Sequence, residues 1–333
     1  MINKSDVYTG LAEKLNYPPS EHLLRILEKM ITLEEGILLL ELPGKPDELA
    51  EKAAMDEEKV NSTLKEFLRR GLVVTTKKGP RLVRDVMQLH DASLASSQEY
   101  IDEELLNLWK EFYEKEWCKA LSEHWRTIEQ PMCEVIPVWK SILEHSQISS
   151  SEILPKENMN EIIKGAEYIA VVPCPCRRAL RRCDTPLEIC MQFNKWAEYA
   201  VNRGAGRKIS IEEALSINDL AEGKGLVHIQ PIITPTLSLI CNCCADCCAL
   251  LDPCIKYGGM DKALAKSRYR AGINYDSCTE CNLCIDICPF GAIEVKDSSA
   301  SKEPIVAVDP EKCFGCGVCT GECPTEAITM KYA

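Results

Sequence analysis

Residues 277–289 read SCTECNLCIDICP, and residues 312–324 read KCFGCGVCTGECP. Each segment has the spacing C-x2-C-x2-C-x3-C-P, and the first cysteines of the two segments, Cys278 and Cys313, are 35 residues apart. In this spacing, three closely placed thiolates bind three irons of one 4Fe-4S cluster, and the fourth cysteine reaches across to a second cluster. The two segments therefore predict a pair of clusters with crossed ligands.

The crossed ligand sets follow from the shape of the cluster. A cuboidal cluster needs sulfur ligands in four tetrahedral directions, and a tight loop presents only three of them. A proline after each fourth cysteine fixes the backbone where the chain leaves the cluster. We therefore assign one cluster to Cys278, Cys281, Cys284 and Cys323, and the other to Cys313, Cys316, Cys319 and Cys288.

The two segments also match beyond their cysteines. Ala292-Ile293 and Ala327-Ile328 follow the two prolines at the same offset, which makes the segments an internal repeat. Two pseudo-symmetric halves of this kind, over roughly the last sixty residues, resemble the bacterial two-cluster ferredoxin. The resemblance implies a small α+β module that relays single electrons. The alternative is a zinc or disulfide framework, but zinc sites seldom use two interlocked runs of four cysteines.

The composition indicates a larger intracellular protein around this module. The chain has 333 residues, enough for two or three domains, and 20 cysteines. Residues 1–15 show no signal-peptide pattern, and no apolar run is long enough to cross a membrane. We therefore expect a cytoplasmic protein whose cysteines bind metals rather than form disulfides. The formal net charge of −12 argues against general nucleic-acid affinity.

The ferredoxin-like segment is itself acidic. Residues 274–333 contain ten Asp and Glu residues against four Lys and Arg residues. This charge would suit a redox partner or oxidoreductase complex with a basic docking surface, although an acidic exterior is also usual for a cytosolic protein.

The amino-terminal third has a recognisable order of elements. Apolar periodicity and capping residues predict helices over residues 23–30, 32–40, 46–54 and 56–70, and a two-stranded hairpin over residues 72–86. This order resembles the winged-helix arrangement that is common in transcription regulators. A DNA-reading helix would need a basic surface, whereas residues 21–90 hold twelve basic and thirteen acidic residues. We therefore expect a docking or homo-oligomerisation module, with DNA unlikely as its partner.

A helical connector follows this module. Residues 97–124 read as helical, with an aromatic stripe that is typical of core packing rather than of a ligand face: Leu105, Trp109, Tyr113 and Trp117. Two isolated cysteines, Cys118 and Cys133, are expected to be small buried residues. Residues 147–157 read as a linker.

The middle third contains ten cysteines in about eighty residues. A strand over residues 168–172 leads into one set, and strands over 226–230 and 237–240 lead into the other. We expect both sets to lie at a common edge of one small sheet. The candidate metal ligands are Cys174, Cys176, Cys183, Cys190, Cys241, Cys243, Cys244, Cys247 and Cys248, and Cys254 lies a little further on.

Thiols at this density need a metal or a pairing partner to avoid adventitious oxidation. We predict at least one further metal centre, formed by a subset of these cysteines, and favour iron–sulfur over zinc because the chain already requires cluster assembly. The two sets could hold separate centres or contribute to a single one. The segment resembles uncharacterised cysteine-rich segments that precede ferredoxin modules in proteins of anaerobes.

A run of arginines follows Cys176: Arg177, Arg178, Arg181 and Arg182. On a helix that begins here, they would lower thiolate pKa values and offset the charge of a cluster. They would otherwise form a solvated helix face or a docking patch for an acidic partner.

Together these features predict an α+β multidomain protein. We expect a winged-helix-like domain (1–95), a helical connector (96–155), a small cysteine-rich α/β metal-binding domain (156–260) and a two-cluster ferredoxin-like domain (261–333).

The leading functional hypothesis is an iron–sulfur electron-transfer protein. It would relay single electrons through the two C-terminal clusters, to or from the middle metal centre and a partner oxidoreductase. One alternative is a reductase with its active site at the middle cysteines, and another is a redox-sensing regulator that binds DNA. The sequence has no P-loop, dinucleotide fingerprint, GxSxG or HExxH motif, so an electron-transfer protein or oxidoreductase subunit is favoured over a free-standing enzyme.

Overall fold

The computed structural model describes residues 4–144, 148–149, 152–233, 237–297 and 305–333. The chain forms two compact units. Unit 1 consists of Met1–Trp117, Val172–Arg181 and Tyr199–Arg207, and unit 2 consists of Cys118–Val171, Arg182–Glu198 and Lys208–Ala333. The division into four domains stays a prediction, and residues 147, 150 and 151 of the expected linker lie outside the described residues.

Residues 4–117 form helices and one hairpin. Their elements are α1 (Lys4–Lys14), α2 (Glu21–Met30), α3 (Leu33–Leu40), α4 (Pro46–Ala53), α5 (Glu57–Arg69), β1 (Val73–Thr76), β2 (Gly79–Leu82), α6 (Val86–Leu94), a 3-10 turn (Gln98–Tyr100), α7 (Glu103–Phe112) and a π-helical turn (Tyr113–Trp117).

Helices and strands alternate in the rest of the chain. The elements up to residue 231 are α8 (Cys118–Thr127), β3 (Cys133–Ile136), α9 (Trp139–Leu143), a 3-10 turn (Pro155–Glu157), α10 (Met159–Lys164), β4 (Ile169–Pro173), α11 (Pro175–Leu180), β5 (Glu188–Phe193), α12 (Lys195–Asn202), β6 (Arg207–Ile209), α13 (Ile211–Gly223) and β7 (Val227–Pro231). The remaining elements are β8 (Leu239–Cys243), α14 (Leu251–Tyr257), α15 (Met260–Ala263), β9 (Leu264–Ala265), β10 (Tyr269–Ile273), α16 (Leu283–Ile287), β11 (Ile293–Lys296), β12 (Ile305–Val308), α17 (Val318–Gly321) and β13 (Ile328–Tyr332).

Local capping interactions explain where the amino-terminal helices begin. Thr32 and Glu35 form a reciprocal capping box at the start of α3, with the Glu35 N–H donating to Thr32 Oγ1 at 3.3 Å and the Thr32 N–H to Glu35 Oε2 at 2.7 Å. Asp56 accepts the Lys59 N–H at 2.9 Å and caps α5. These helices and the hairpin are confirmed, while the winged-helix arrangement stays a prediction.

Aromatic rings form part of the core of unit 1. Phe112 and Trp117 stack with ring centroids 5.7 Å apart, and the His90 ring packs edge-on against Trp109 at 5.3 Å. Trp109, Tyr113 and Trp117 are almost completely buried, which confirms the core role of the stripe. The expected continuous helix over 97–124 is wrong in detail. Asp102 caps a new helix, α7, which begins at Glu103, and a π-helical turn separates α7 from α8.

A seven-stranded sheet carries the cysteine-rich part of the chain, with strand order β6-β4-β5-β8-β7-β3-β9. β7 and β8 pair antiparallel, as do β3 and β7, whereas β3 and β9 pair parallel. The expected strands before the two cysteine sets do belong to one sheet. That sheet is larger than expected, since β3, β5, β6 and β9 were not predicted. The mixture of helices and sheets agrees with the α+β class.

Within the part of the chain that the structure describes, no helix has both the length and the apolar character needed to span a bilayer.

Candidate metal centres

Two short antiparallel sheets frame the C-terminal cysteines: β10 with β13, and β11 with β12. In the loop of each half, the residues on either side of the second cysteine adopt positive φ angles. These residues are Glu280 and Asn282 around Cys281, and Gly315 and Gly317 around Cys316. Left-handed backbone at equivalent places turns both loops tightly. The repeat in the sequence is therefore also a repeat in backbone conformation.

The eight C-terminal cysteines line two cavities, four in each. One cavity is lined by Cys278, Cys281, Cys284 and Cys323, and the other by Cys288, Cys313, Cys316 and Cys319. The empty space at each cavity is about 340 Å³, part of which is open to solvent. The fourth cysteine of each half thus lies with the first three of the other half, as the crossed ligand sets would require.

The electrostatics within each cavity suit a bound cation. Burial and the neighbouring thiols Cys288 and Cys313 raise the pKa of Cys316 to about 12. Burial also raises the pKa of Cys284, and the neighbours Cys278, Cys281 and Cys323 add to the effect. Four thiols that oppose one another's ionisation are stabilised as thiolates by the positive charge of iron. The donor sets therefore fit two 4Fe-4S clusters.

Backbone groups also act on the sulfur atoms. The Ala292 N–H donates to Cys288 Sγ at 3.3 Å, and the Ala327 N–H donates to Cys323 Sγ at 3.2 Å. The same hydrogen bond therefore occurs once in each half. Burial alone would raise the pKa of Cys323, but hydrogen bonds from the backbone around Thr325 and from the Thr325 hydroxyl bring it below its ordinary value. Such hydrogen bonds to sulfur are one means by which a protein adjusts cluster potentials.

The two cysteine sets differ in exposure. Cys281 is exposed and the other members of its set are half-buried, whereas Cys313, Cys316 and Cys319 are buried. We call the set of Cys278, Cys281, Cys284 and Cys323 the outer set, and the set of Cys288, Cys313, Cys316 and Cys319 the inner set. Cys313 and Cys319 of the inner set belong to a hydrophobic cluster against which Cys284 and Cys323 of the outer set pack, so the two sets are close to each other.

A common hydrophobic core joins the inner set to the middle cysteines of unit 2. This core contains Cys316 and Phe314 together with Cys243 and Cys248. The Phe314 ring stacks on Phe290 with centroids 4.5 Å apart. The inner set therefore lies on the side of the ferredoxin-like segment that contacts the sheet.

The middle cysteines of unit 2 form two groups. In the first, Cys183 Sγ lies 3.7 Å from Cys244 Sγ and 4.0 Å from Cys247 Sγ. The Asp246 carboxylate completes this group, with all four donor atoms within 4.8 Å of one another. Hydrogen bonding to Cys244, together with burial, raises the pKa of Cys247. The sequence reasoning missed Asp246, although its position between Cys244 and Cys247 was a signal.

The second group consists of Cys241, Cys243 and Cys248. Cys241 and Cys243 pair with Ile229 and Val227 of β7, and alternate residues of a strand share a face. Hydrogen bonding to Cys241 and Cys248, together with burial, raises the pKa of Cys243 well above its ordinary value. The Leu250 N–H donates to Cys248 Sγ at 3.4 Å.

The remaining middle cysteines have different positions. Cys190 is buried on β5, and Cys254 is buried on α14, where burial raises its pKa to about 12. Cys174 and Cys176 belong to unit 1, at the start of α11. In that unit, His90, Asp91 and Cys176 place their donor atoms within 4.8 Å of one another, with His90 Nδ1 at 2.9 Å from Asp91 Oδ1. The sequence did not predict this group, because Cys176 is far from His90 and Asp91 along the chain.

The arginines after Cys176 do not form a solvated helix face, which was one of the alternatives that the sequence left open. Arg177 and Arg178 are buried, and Arg178 donates to the carbonyl oxygens of Leu94 at 2.8 Å and Ser96 at 2.9 Å. α11 ends at Leu180, so Arg181 and Arg182 lie beyond the helix.

Residues 277–327 match the 4Fe-4S dicluster domain family. The C-terminal segment is therefore a ferredoxin-like iron–sulfur module, and this match together with the many cysteines of the chain indicates an iron–sulfur electron-transfer role. Comparisons with curated proteins and with solved structures find no match to the chain.

Proposed function

We propose that the protein passes single electrons between a partner oxidoreductase and a redox centre in its own cysteine-rich sheet. The observation that carries this proposal is the crossed lining of the two cavities by four cysteines each. Two cavities of one size, built from a repeated loop, suit a pair of similar one-electron centres. When bound, two 4Fe-4S clusters supply one-electron oxidation and reduction.

The chain's contribution is to hold these groups and control their surroundings. The outer set would bind one cluster and the inner set the other. The N–H groups of Ala292 and Ala327 stabilise negative charge on Cys288 and Cys323. Burial of Cys313, Cys316 and Cys319 limits the access of water to the inner set, while the exposed Cys281 leaves the outer set accessible.

The outer set is also the place where a partner protein would dock. Exposed acidic residues flank its cysteines in the sequence: Asp276, Glu280, Asp286, Glu322 and Glu326. A partner with a basic surface would be attracted to this rim, and the attraction would weaken with ionic strength.

The redox centre in the sheet is assigned to the second group of middle cysteines. Cys243 and Cys248 share a hydrophobic core with Cys316 of the inner set, so this group is the middle site nearest in packing to the ferredoxin-like module. Cys243 and Cys248 of this group are buried, whereas Cys281 of the outer set is exposed. An exposed site at one end and a buried site at the other are what a relay within one chain requires.

The experiment is metal and sulfide analysis of anaerobically purified full-length protein, followed by EPR during stepwise reduction. We expect at least about eight iron atoms and as many labile sulfides per chain, with two interacting one-electron signals. Cys281→Ser and Cys316→Ser should each remove one signal and about four iron atoms, whereas Cys133→Ser should remove neither. Iron content that is unchanged in both ligand variants would contradict the proposal.

A further inference from the structure

The group of Cys183, Cys244, Cys247 and Asp246 differs in spacing from the ferredoxin-like sites. Its sulfur atoms are almost in contact, at 3.7 Å and 4.0 Å from Cys183 Sγ. Neither distance is a disulfide, which would bring two sulfurs to about 2.05 Å. Among the described residues, three thiols with mutual distances within 4.8 Å occur here and in neither the outer nor the inner set.

These distances distinguish between two kinds of metal centre. A tetrahedral zinc ion with Zn–S bonds of about 2.3 Å has its sulfur ligands roughly 3.8 Å apart, which is the spacing found here. A cuboidal cluster places a different iron behind each thiolate, so its cysteine sulfurs are held apart by the width of the cluster. The spacing therefore fits one ion and leaves no room for a cluster.

The four donors also have the right chemistry for a closed tetrahedral site. Thiolates and a carboxylate are both zinc ligands, and a site with four protein ligands is typical of structural zinc. Cys244 and Cys247 are buried, which limits access of water and of substrate. The site is formed by two segments that are far apart in sequence, the loop after α11 and the loop after β8.

Neighbouring residues support the donors. The Arg182 N–H donates to Cys247 Sγ, which favours the thiolate. The Arg182 guanidinium donates to the Asp246 carbonyl oxygen at 2.9 Å and to Asp252 Oδ2 at 3.2 Å. Lys256 also donates to Asp252 Oδ2, at 3.0 Å. Three thiolates and a carboxylate carry two more negative charges than one divalent ion neutralises, and the adjacent Arg182 guanidinium offsets part of this excess.

We propose that Cys183, Cys244, Cys247 and Asp246 bind a single tetrahedral zinc ion that ties the loop after α11 to the loop after β8. The ion is not redox-active, so the site is separate from the electron-transfer centres. For this one group, the proposal reverses the expectation from the sequence that iron–sulfur would be favoured over zinc. The loop after β8 also carries Cys248, so the ion would fix the position of the second group of middle cysteines.

The test uses anaerobically purified full-length protein without added metal. Elemental analysis should give about one zinc ion per chain beside the iron, and X-ray absorption at the zinc edge should show three sulfur ligands at about 2.3 Å and one oxygen at about 2.0 Å. Cys247→Ser should lower the zinc content at least about tenfold and leave in place the roughly eight iron atoms of the outer and inner sets. The control Cys133→Ser should retain zinc.

Other results would overturn the inference. These are iron in place of zinc, a zinc shell of four sulfurs, or loss of about four iron atoms in Cys247→Ser. If Cys247→Ser does not fold, Asp246→Asn and the absorption spectrum of the native protein decide the question, since both report on the fourth ligand. Iron bound by the outer and inner sets is measured in the same samples, so failure of the zinc site is distinguishable from failure of the proposed relay.

Discussion

The backbone N–H of Val138 donates a hydrogen bond of 2.8 Å to the carbonyl oxygen of Cys316. Val138 follows β3 of the large sheet, and Cys316 is the second cysteine of the inner set. The bond therefore fixes the loop of the inner set directly against the sheet. The next residue, Gly317, has φ = 76°, and a Cβ atom there would overlap the side chain of Ser141. Only glycine fits this close approach without strain.

Gly317→Ala should therefore disturb the inner set selectively. The added methyl group must displace Ser141 or the loop, and the positive φ adds strain of about 1 kcal/mol. We expect the variant to lose about four iron atoms per chain while the outer set keeps its cluster. Iron analysis and EPR of the reduced protein measure this. Gly321→Ala is the matched control, since among the described atoms nothing lies within 4 Å of its added Cβ, and equal iron loss in both variants would contradict the prediction.

Buried Arg178 should contribute far more to stability than its exposed neighbour Arg181. Arg178 donates to two carbonyl oxygens and to Gln98 Oε1, whereas Arg181 pairs with Glu103 at the surface. Arg178→Met leaves buried carbonyl groups without their donor, which costs about 3 kcal/mol. Arg181→Met should cost less than about 1 kcal/mol. Urea unfolding followed by tryptophan fluorescence compares the stabilities of the two variants. Similar midpoints would show that the buried hydrogen bonds of Arg178 do not contribute more to stability than the surface pair of Arg181.

The sequence predicts most where the signal is local. The spacing of the C-terminal cysteines predicts which thiols share a cavity, because the cluster geometry is encoded within thirteen-residue segments. The capping box of Thr32 and Glu35 likewise marks the start of α3 with no distant contact. These features need only neighbouring residues to form.

The sequence predicts least where residues that are far apart along the chain come into contact. Val135 of β3 pairs with Ile229 of β7, and no local period connects two such segments. Arg178 looks like a surface residue in a run of four arginines, but it is buried and donates to the carbonyl oxygens of Leu94 and Ser96. The contact of Cys183 with Cys244 and Cys247 depends on the fold in the same way, so the sequence shows the thiols but not their grouping.

Glu157 should stabilise unit 2 in a pH-dependent manner. It is buried, accepts Arg268 Nε at 2.7 Å and the Tyr269 hydroxyl at 3.0 Å, and receives the Leu154 N–H at 2.9 Å. Burial alone would raise its pKa, but these donors, led by Arg268, hold the pKa below the ordinary value. Because the folded pKa is depressed, the stabilisation is complete above the ordinary glutamate pKa of about 4.3 and is lost as the pH falls through the folded value.

Glu157→Gln should therefore lower Tm by roughly 5 °C at pH 7, which corresponds to about 2 kcal/mol. The difference in Tm between the native protein and the variant should shrink as the pH falls below about 4. Calorimetry at a series of pH values measures both effects. Glu161→Gln, an exposed change on α10, is the control. A difference that stays constant with pH would show that the Glu157 charge is not what stabilises this segment.

The unequal burial of the two C-terminal sets should appear as two rates of iron release. Cys281 of the outer set is exposed, whereas Cys313, Cys316 and Cys319 of the inner set are buried, so a chelator reaches the outer set without any opening of the structure. We expect iron transfer to an excess of chelator under argon to be biphasic, with each ferredoxin-like site contributing about four iron atoms. Cys281→Ser should lack the fast phase and keep the slow one, and Gly317→Ala should do the reverse. A single phase, or a fast phase that survives in Cys281→Ser, would mean that burial does not protect the inner set.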